Sequence, residues 1–202
     1  MSASVGVLVL CGGTSARLGG ADKTARRLGR GTVLDHLLAD LPADWPVVCV
    51  GEPRPVAESV AWRVTWTREQ PALGGPVAGI AAGLGALADQ RPEAAFEVVV
   101  VLAGDQPFAG EVVGDLVDAL AAQGTEVDAV CATGGDRPQL LLAAYRAAGL
   151  ARALRDADPR RGVYRTLAGL RIATLAVPEI TALDIDTPAD LARARARAPE
   201  LD

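Results

Sequence analysis

Seven short apolar runs, rich in valine, recur along the chain at 4–10, 45–50, 61–67, 96–103, 127–133, 139–145 and 170–177. Stretches with helical periodicity lie among them at 33–41, 75–90, 109–123, 149–157 and 188–198. Runs this short, bounded by Gly, Pro and Asp, fit strands buried on both faces. Such strands need a layer of helices on each side, so the pattern predicts a three-layer α/β domain with a mostly parallel sheet. No other feature restricts the fold as much. In open sheets of this kind the ligand site lies at the carboxyl ends of the strands. The loops 11–22, 51–55, 68–76, 104–109 and 134–138, with the segment 184–187, are therefore expected to converge.

Composition removes several function classes. The chain has 202 residues, half of them hydrophobic, and no composition break, which predicts one domain over 1–202. Its net charge of −5 is built from interspersed charges of both signs, so no nucleic-acid partner is expected. The longest apolar runs fall far short of the ~20 residues that span a bilayer. No charged segment followed by an apolar stretch opens the sequence, so no membrane is expected and the cytoplasm is the expected compartment. Cys11, Cys49 and Cys131 each end an apolar run without CxxC spacing, and read as small buried hydrophobes. His36, the sole histidine, falls in a helical pattern away from any nucleophile and reads as an exposed helix residue.

Five motifs occupy the converging loops. LCGGTSARLGGADK, residues 10–23, fits neither GxxxxGK[ST] nor GxGxxG. Gly12 and Gly13 let the backbone approach a ligand and turn N–H groups toward anionic oxygens. Thr14 and Ser15 add hydroxyls, and Arg17 and Lys23 add cations on a longer arm, which suits a polyphosphate. LAGDQPF, residues 102–108, closes the most apolar run with Asp105, a carboxylate placed to bind Mg²⁺ together with nucleotide phosphate. In LDIDTPADL, residues 183–191, Asp184 and Asp186 alternate, so in an extended chain they point the same way. Either could complete the metal site, although Asp186 also suits the capping of a helix that starts at Thr187-Pro188.

The remaining two motifs are less specific. In REQPALGGPVAGI, residues 68–80, Gly74, Gly75 and Pro76 form a tight backbone for a flat base, and Glu69 can accept from the ring N–H and amine of guanine. In GGDRPQLLLAAYR, residues 134–146, Arg137 and Gln139 are candidates for the phosphate or polar head of a second substrate.

Taken in chain order the motifs resemble those of molybdenum cofactor guanylyltransferases, within the wider nucleotidyltransferase superfamily. LCGGTSARLGGADK is similar to LAGGxSxRMGxDK, GGPVAGI to GPLAGI, LAGDQPF to CDxPF, RPQLLLAAYR to RPQPL, and LDIDTPADL to NxNTPEDL. The likeness runs from residue 5 to about 195. It implies a Rossmann-like nucleotidyltransferase domain in which Leu10, Cys11, Gly12, Gly13 and Ser15 meet the nucleotide. Arg17, Lys23 and Asp105 would be the catalytic charges, with Asp105 and Asp186 on Mg²⁺ and Glu69, Gly75 and Pro76 at the base. Arg137, Gln139 and Asp184 would face the second substrate. The implied reaction moves GMP from GTP to the phosphate of molybdenum-bearing molybdopterin and releases pyrophosphate, with transient contacts to molybdoenzymes or delivery proteins. Two departures stand out. Asp184 and Asp186 replace Asn, and DxDTP also recurs in cytidylyl-transferring relatives. The family's acidic residue before the glycine-proline motif aligns without gaps to Arg68, and a shift of one brings in Glu69. The alternatives are a transferase using CTP or a sugar phosphate, and a nucleotide-binding protein without transferase activity.

Overall fold

The computed structural model describes residues 3–12, 22–70, 72, 74–134, 137–155, 157–158 and 161–197. Gly13, Thr14, Ser15 and Arg17 lie outside the described residues. Each apolar run contributes a strand. In chain order the elements are β1 (Val5–Leu10), the hairpin β2 (Arg27–Leu28) and β3 (Gly31–Thr32), α1 (Val33–Ala39), β4 (Val47–Val50), α2 (Glu58–Ala61) and β5 (Val64–Thr67). Then come α3 (Pro76–Gln90), β6 (Val98–Ala103), α4 (Val113–Ala121), β7 (Ala129–Thr133) and β8 (Gln139–Arg146). The chain continues through α5 (Ala147–Leu154), α6 (Val163–Thr166), β9 (Ile172–Ala176) and α7 (Pro188–Arg197).

Among the described residues the main sheet has seven strands in the order β5-β4-β1-β6-β8-β7-β9. All run parallel except β8, which is antiparallel to both β6 and β7. The cause is the link between β7 and β8: residues 134–138 are too few for a crossover, so the chain must turn back. As a result Gln139, the first residue of β8, starts at the edge where the neighbouring parallel strands end, paired with Ala132.

Alternation along the strands feeds two cores. Val5, Val7 and Val9 of β1, Val47 and Cys49 of β4, and Val98, Val100 and Leu102 of β6 pack under α1 and α4 through Leu34, Leu37, Leu116 and Leu120. Leu8, Val48, Val50, Val99 and Val101 pack on the other face under α3 and α5 through Ile80, Leu87 and Leu150. A third cluster joins Leu28, Val33, Phe108, Leu183, Ile185 and Ala194, and fastens α7 and the segment before it to the hairpin. Arg197 locks that helix further, with its guanidinium 4.7 Å over the Phe108 ring and 2.7 Å from Glu111 Oε1.

Some expectations shift. Residue 61 closes the short helix α2 instead of opening a strand, and the 109–123 stretch begins as a 3-10 turn, Ala109–Val112. His36 is half-buried, not exposed: its Nε2 lies 2.7 Å from the Leu28 carbonyl and ties α1 to the hairpin. The three cysteines are free and buried. No described helix is long and apolar enough to cross a membrane.

Candidate active site

The site begins where three strand ends are drawn together. Cys11 N donates to Val50 O at 2.8 Å, and Gly104 N donates to Leu10 O at 2.9 Å. A Cβ on Gly104 would stand 3.0 Å from Leu10 O, 3.1 Å from Thr24 Cγ2 and 3.2 Å from Cys11 Sγ. Only glycine lets β1, β6 and the residues after the glycine-rich stretch close up this tightly. Leu10 is half-buried, Cys11 is buried and Gly12 is exposed at the rim. Asp105 follows Gly104 directly and emerges beside them.

Asp184 and Asp186 reach the same edge from the far end of the sequence. Leu183 and Ile185 enter the third apolar cluster, and Ile185 N donates to Asp105 O at 2.9 Å. That bond sets the flanking aspartates beside Asp105. Lys23 Nζ lies 3.5 Å from Asp105 Oδ2 and is hydrogen-bonded to Asp186 Oδ1. The competing role for Asp186, capping α7, is filled by other residues. Thr187 Oγ1 accepts from Asp190 N at 3.2 Å, and Asp190 Oδ2 accepts from Thr187 N at 2.8 Å and Thr187 Oγ1 at 2.7 Å. This reciprocal cap leaves the Asp186 carboxylate to Lys23.

Among the described residues charge in this corner is unbalanced, with three carboxylates around one ammonium. Burial pushes the Asp105 carboxyl above its ordinary range, and the Lys23 charge only partly opposes this. Crowding by protein, then the charges of Asp105 and Asp186, push the Asp184 carboxyl up to about 6. Asp184 still keeps a solvent-exposed face, which softens the effect. Partial burial works against the charge on Lys23, but its hydrogen bond to Asp186 and the two neighbouring carboxylates outweigh that and raise its pKa. Among the described residues no group of three or more His, Cys, Asp or Glu is arranged to hold a metal ion. A magnesium ion needs fewer, because it commonly takes one or two carboxylates and completes its shell with phosphate and water. Asp105 and Asp186, both already engaged by a cation, fit that donor set.

The other predicted residues divide into two groups. Glu69 is buried, and its Oε1 lies 3.9 Å from where a Cβ of Gly12 would be. Arg68 is exposed instead and pairs with Glu52 Oε2 at 2.6 Å. Successive residues leaving β5 point to opposite sides, so only one of the two can face Gly12. Gly75 has φ +86, a left-handed conformation that favours glycine, and Pro76 starts α3 with no side-chain cap. Gln139 uses both ends of its amide within the protein. It accepts from Gln106 Nε2 at 2.7 Å and donates to Ala182 O at 3.1 Å. Arg137 is exposed.

Two residues at this edge were missed by the sequence reading. Gln106, inside LAGDQPF, is buried and joins the Asp105 loop to β8. Arg54, in the loop after β4, reaches Cys11 O and the side chains of Asp22 and Thr24. Its position in a converging post-strand loop was the available signal.

Residues 7–173 match the family model of the MobA-like NTP transferase domain. The chain is 33% identical over 194 residues to a molybdenum cofactor guanylyltransferase of Bradyrhizobium sp. (strain ORS 278), covering 93% of this chain and 90% of that protein. The crystal structure of molybdopterin-guanine dinucleotide biosynthesis protein A from Archaeoglobus fulgidus matches with a TM-score of 0.69 at 26% identity, covering 96% of this chain and 98% of that one. The 2-C-methyl-D-erythritol 4-phosphate cytidylyltransferase of Thermus thermophilus matches with a TM-score of 0.71 at 18% identity, covering 97% and 99% of the two chains, a likeness of fold alone. The chain belongs to the MobA-like NTP transferase family.

Proposed function

We propose that this chain transfers GMP from GTP to the phosphate of molybdenum-bearing molybdopterin and releases pyrophosphate. The observation that carries the reading is Lys23 held between Asp105 and Asp186 at the carboxyl edge of β1 and β6. A chain one-third identical to a named guanylyltransferase supports the choice of base and acceptor.

The chemistry needs no protein base. A phosphate monoester has a second pKa of about 6 and is largely dianionic near neutral pH. The only histidine is occupied with the Leu28 carbonyl, in keeping with this. An oxygen of the acceptor phosphate attacks the α-phosphorus of GTP. A new P–O–P bond forms as the bond from the α-phosphorus to its β-bridging oxygen breaks, and pyrophosphate leaves with the electron pair. Asp105 and Asp186 would hold Mg²⁺, which when bound supplies charge neutralisation at the phosphate oxygens. Lys23 and Arg17 stabilise the charge that develops on the pyrophosphate. Leu10, Cys11, Gly12, Gly13 and Ser15 line the nucleotide. Glu69, beside Gly12, accepts from guanine, with Gly75 and Pro76 against the base. Arg137, Gln139 and Asp184 bear on the second substrate, Gln139 by bracing Gln106. Catalysis on this reading is alignment and electrostatics.

A second reading, cytidylyl transfer, draws on the Asp-x-Asp spacing of 184 and 186. One assay separates them. The protein is incubated with Mg²⁺, purified molybdopterin and each nucleoside triphosphate in turn, and pyrophosphate is followed. GTP-dependent release with formation of the guanine dinucleotide is expected. Release with CTP and none with GTP would replace the proposal by the second reading.

A further inference from the structure

Arg54 gathers contacts from several segments at the edge of the candidate site. Its Nε donates to Glu52 O at 3.2 Å, and its Nη2 donates to Glu52 O at 3.0 Å and to Cys11 O at 3.3 Å. Its Nη1 donates to Asp22 Oδ2 and to Thr24 Oγ1. The guanidinium also lies 5.5 Å over the Trp66 ring, and the side chain is only 14% exposed. A guanidinium has five N–H donors, and five acceptor contacts are present here, so none is left for a ligand. Asp22 directs its other oxygen at the chain, accepting from Thr24 N at 3.0 Å and Thr24 Oγ1 at 2.8 Å.

These contacts join three segments: the end of β1, the loop after β4, and residues 22–24. Lys23 is flanked on both sides by residues that Arg54 holds, and it points to Asp105 and Asp186. We propose that Arg54 is a positioning residue that fixes residues 22–24 against the end of β1 and thereby aims Lys23 at Asp105 and Asp186. The role given to Lys23 rests on the proposed nucleotidyl transfer. Two other roles fit less well. An ordinary surface arginine would be solvated and joined to one partner, whereas this guanidinium is largely enclosed and spread over Asp22, Thr24, Cys11 and Glu52. A direct phosphate contact would need a free donor.

The test uses Arg54→Lys, Arg54→Ala and Asp22→Asn in the full chain, with two readouts. The first is kcat and KM for pyrophosphate release. The second is the rate at which an amine-reactive acylating reagent labels Lys23 in the nucleotide-free protein, read by mass spectrometry. Arg54→Ala and Arg54→Lys are both expected to lower kcat about 10- to 100-fold with a smaller change in KM, because a displaced Lys23 no longer meets the leaving group. A single ammonium cannot reproduce the fork, so lysine should not rescue, while millimolar guanidinium ion should partly restore Arg54→Ala. Lys23 should label roughly threefold faster or more in both variants, because a side chain released from Asp105 and Asp186 is more accessible to the reagent. Adding Asp22→Asn to Arg54→Ala should cost little further. Wild-type kcat and wild-type labelling in folded Arg54→Lys would overturn the inference, as would a rise in KM alone with labelling unchanged in either variant. If Arg54→Ala does not fold, Arg54→Lys decides. If the wild type releases no pyrophosphate with any triphosphate, the functional reading fails, and the labelling rates still decide the role of Arg54.

Discussion

Gly83 and Gly85 stand two residues apart on α3, and alanine should stabilise at Gly85 but not at Gly83. Two residues are about 200° apart around a helix, so they face opposite ways. Gly83 is buried, and a Cβ there would meet Leu8 Cδ2 at 2.8 Å, and Leu8 Cδ1 and Val50 Cγ2 at 3.1 Å. Gly85 is exposed, and a Cβ there would meet nothing within 4 Å. At either site alanine spares the helix about 1 kcal/mol of ordering cost relative to glycine. At Gly85 that gain stands alone, so Gly85→Ala should stabilise by about 0.5–1 kcal/mol. At Gly83 the same gain competes with a methyl forced between two core residues. Leu8 and Val50 are almost fully enclosed by β1, β4 and α3, so neither can withdraw freely. Overpacking of that kind costs about 1–3 kcal/mol, which leaves Gly83→Ala between about neutral and 2 kcal/mol destabilised. Urea denaturation of both variants at neutral pH, with the slopes checked for two-state behaviour, measures the difference. A Gly83→Ala midpoint at or above that of Gly85→Ala would refute the argument that α3 is seated on the sheet at this point by the absence of a side chain.

Three further outcomes are expected. Asp105→Asn should lower turnover at least ~100-fold, with urea stability held or raised because burial already disfavours the charge; retained turnover would remove Asp105 from the metal role. Asp128 accepts from Arg171 N at 3.0 Å and from Arg152 Nη2 at 2.9 Å, and these contacts hold its carboxyl below the ordinary 3.8. The folded chain therefore binds that proton less well than the unfolded one, so the stabilisation is present above about pH 4 and is lost as pH falls through the lowered value. Asp128→Asn should flatten the acid side of the stability curve measured from about pH 7 to about pH 3, and an unchanged slope would count against it. Arg146 caps the end of α4, its Nε donating to Val127 O at 2.9 Å and its Nη2 lying 3.2–3.3 Å from the carbonyls of Leu120, Gln123 and Gly124. Arg146→Ala should destabilise by about 1–3 kcal/mol in urea denaturation, and a loss below the error of the measurement would show that water replaces the side chain at no cost.

The inner strands were legible because burial on both faces leaves short, valine-rich apolar runs bounded by Gly, Pro and Asp, whereas the edge strands β5 and β9 are only partly buried and carry Thr among their apolar residues. The hairpin at residues 27–32 was not, since two-residue strands are too short to carry a period. The reversal of β8 was within reach of the sequence: five residues between two strands exclude a crossover, but the apolar run alone gives no direction. The aspartates illustrate a different limit. Asp-Thr-Pro suits both a cap and a ligand, and only the bond from Thr187 to Asp190 shows that the cap is complete without Asp186. The choice between Arg68 and Glu69 depended on where β5 ends, a boundary that sequence patterns place poorly. Arg54 is harder still. Its partners across the site, Thr24, Asp22 and Cys11, lie 30, 32 and 43 residues away, and nothing in GEPRP names them.

The bond from Ile185 N to Asp105 O has a consequence for how the protein is made. Lys23 and Asp105 are translated early enough for β1 and β6 to pair while the ribosome is still working. The second carboxylate arrives only with Asp186, carried by a segment that must fold back over the finished sheet edge. A growing polypeptide can thus be compact and still lack one of the two carboxylates on Lys23. On the proposed reading, the site offered to nucleotide is complete only after synthesis has passed that residue.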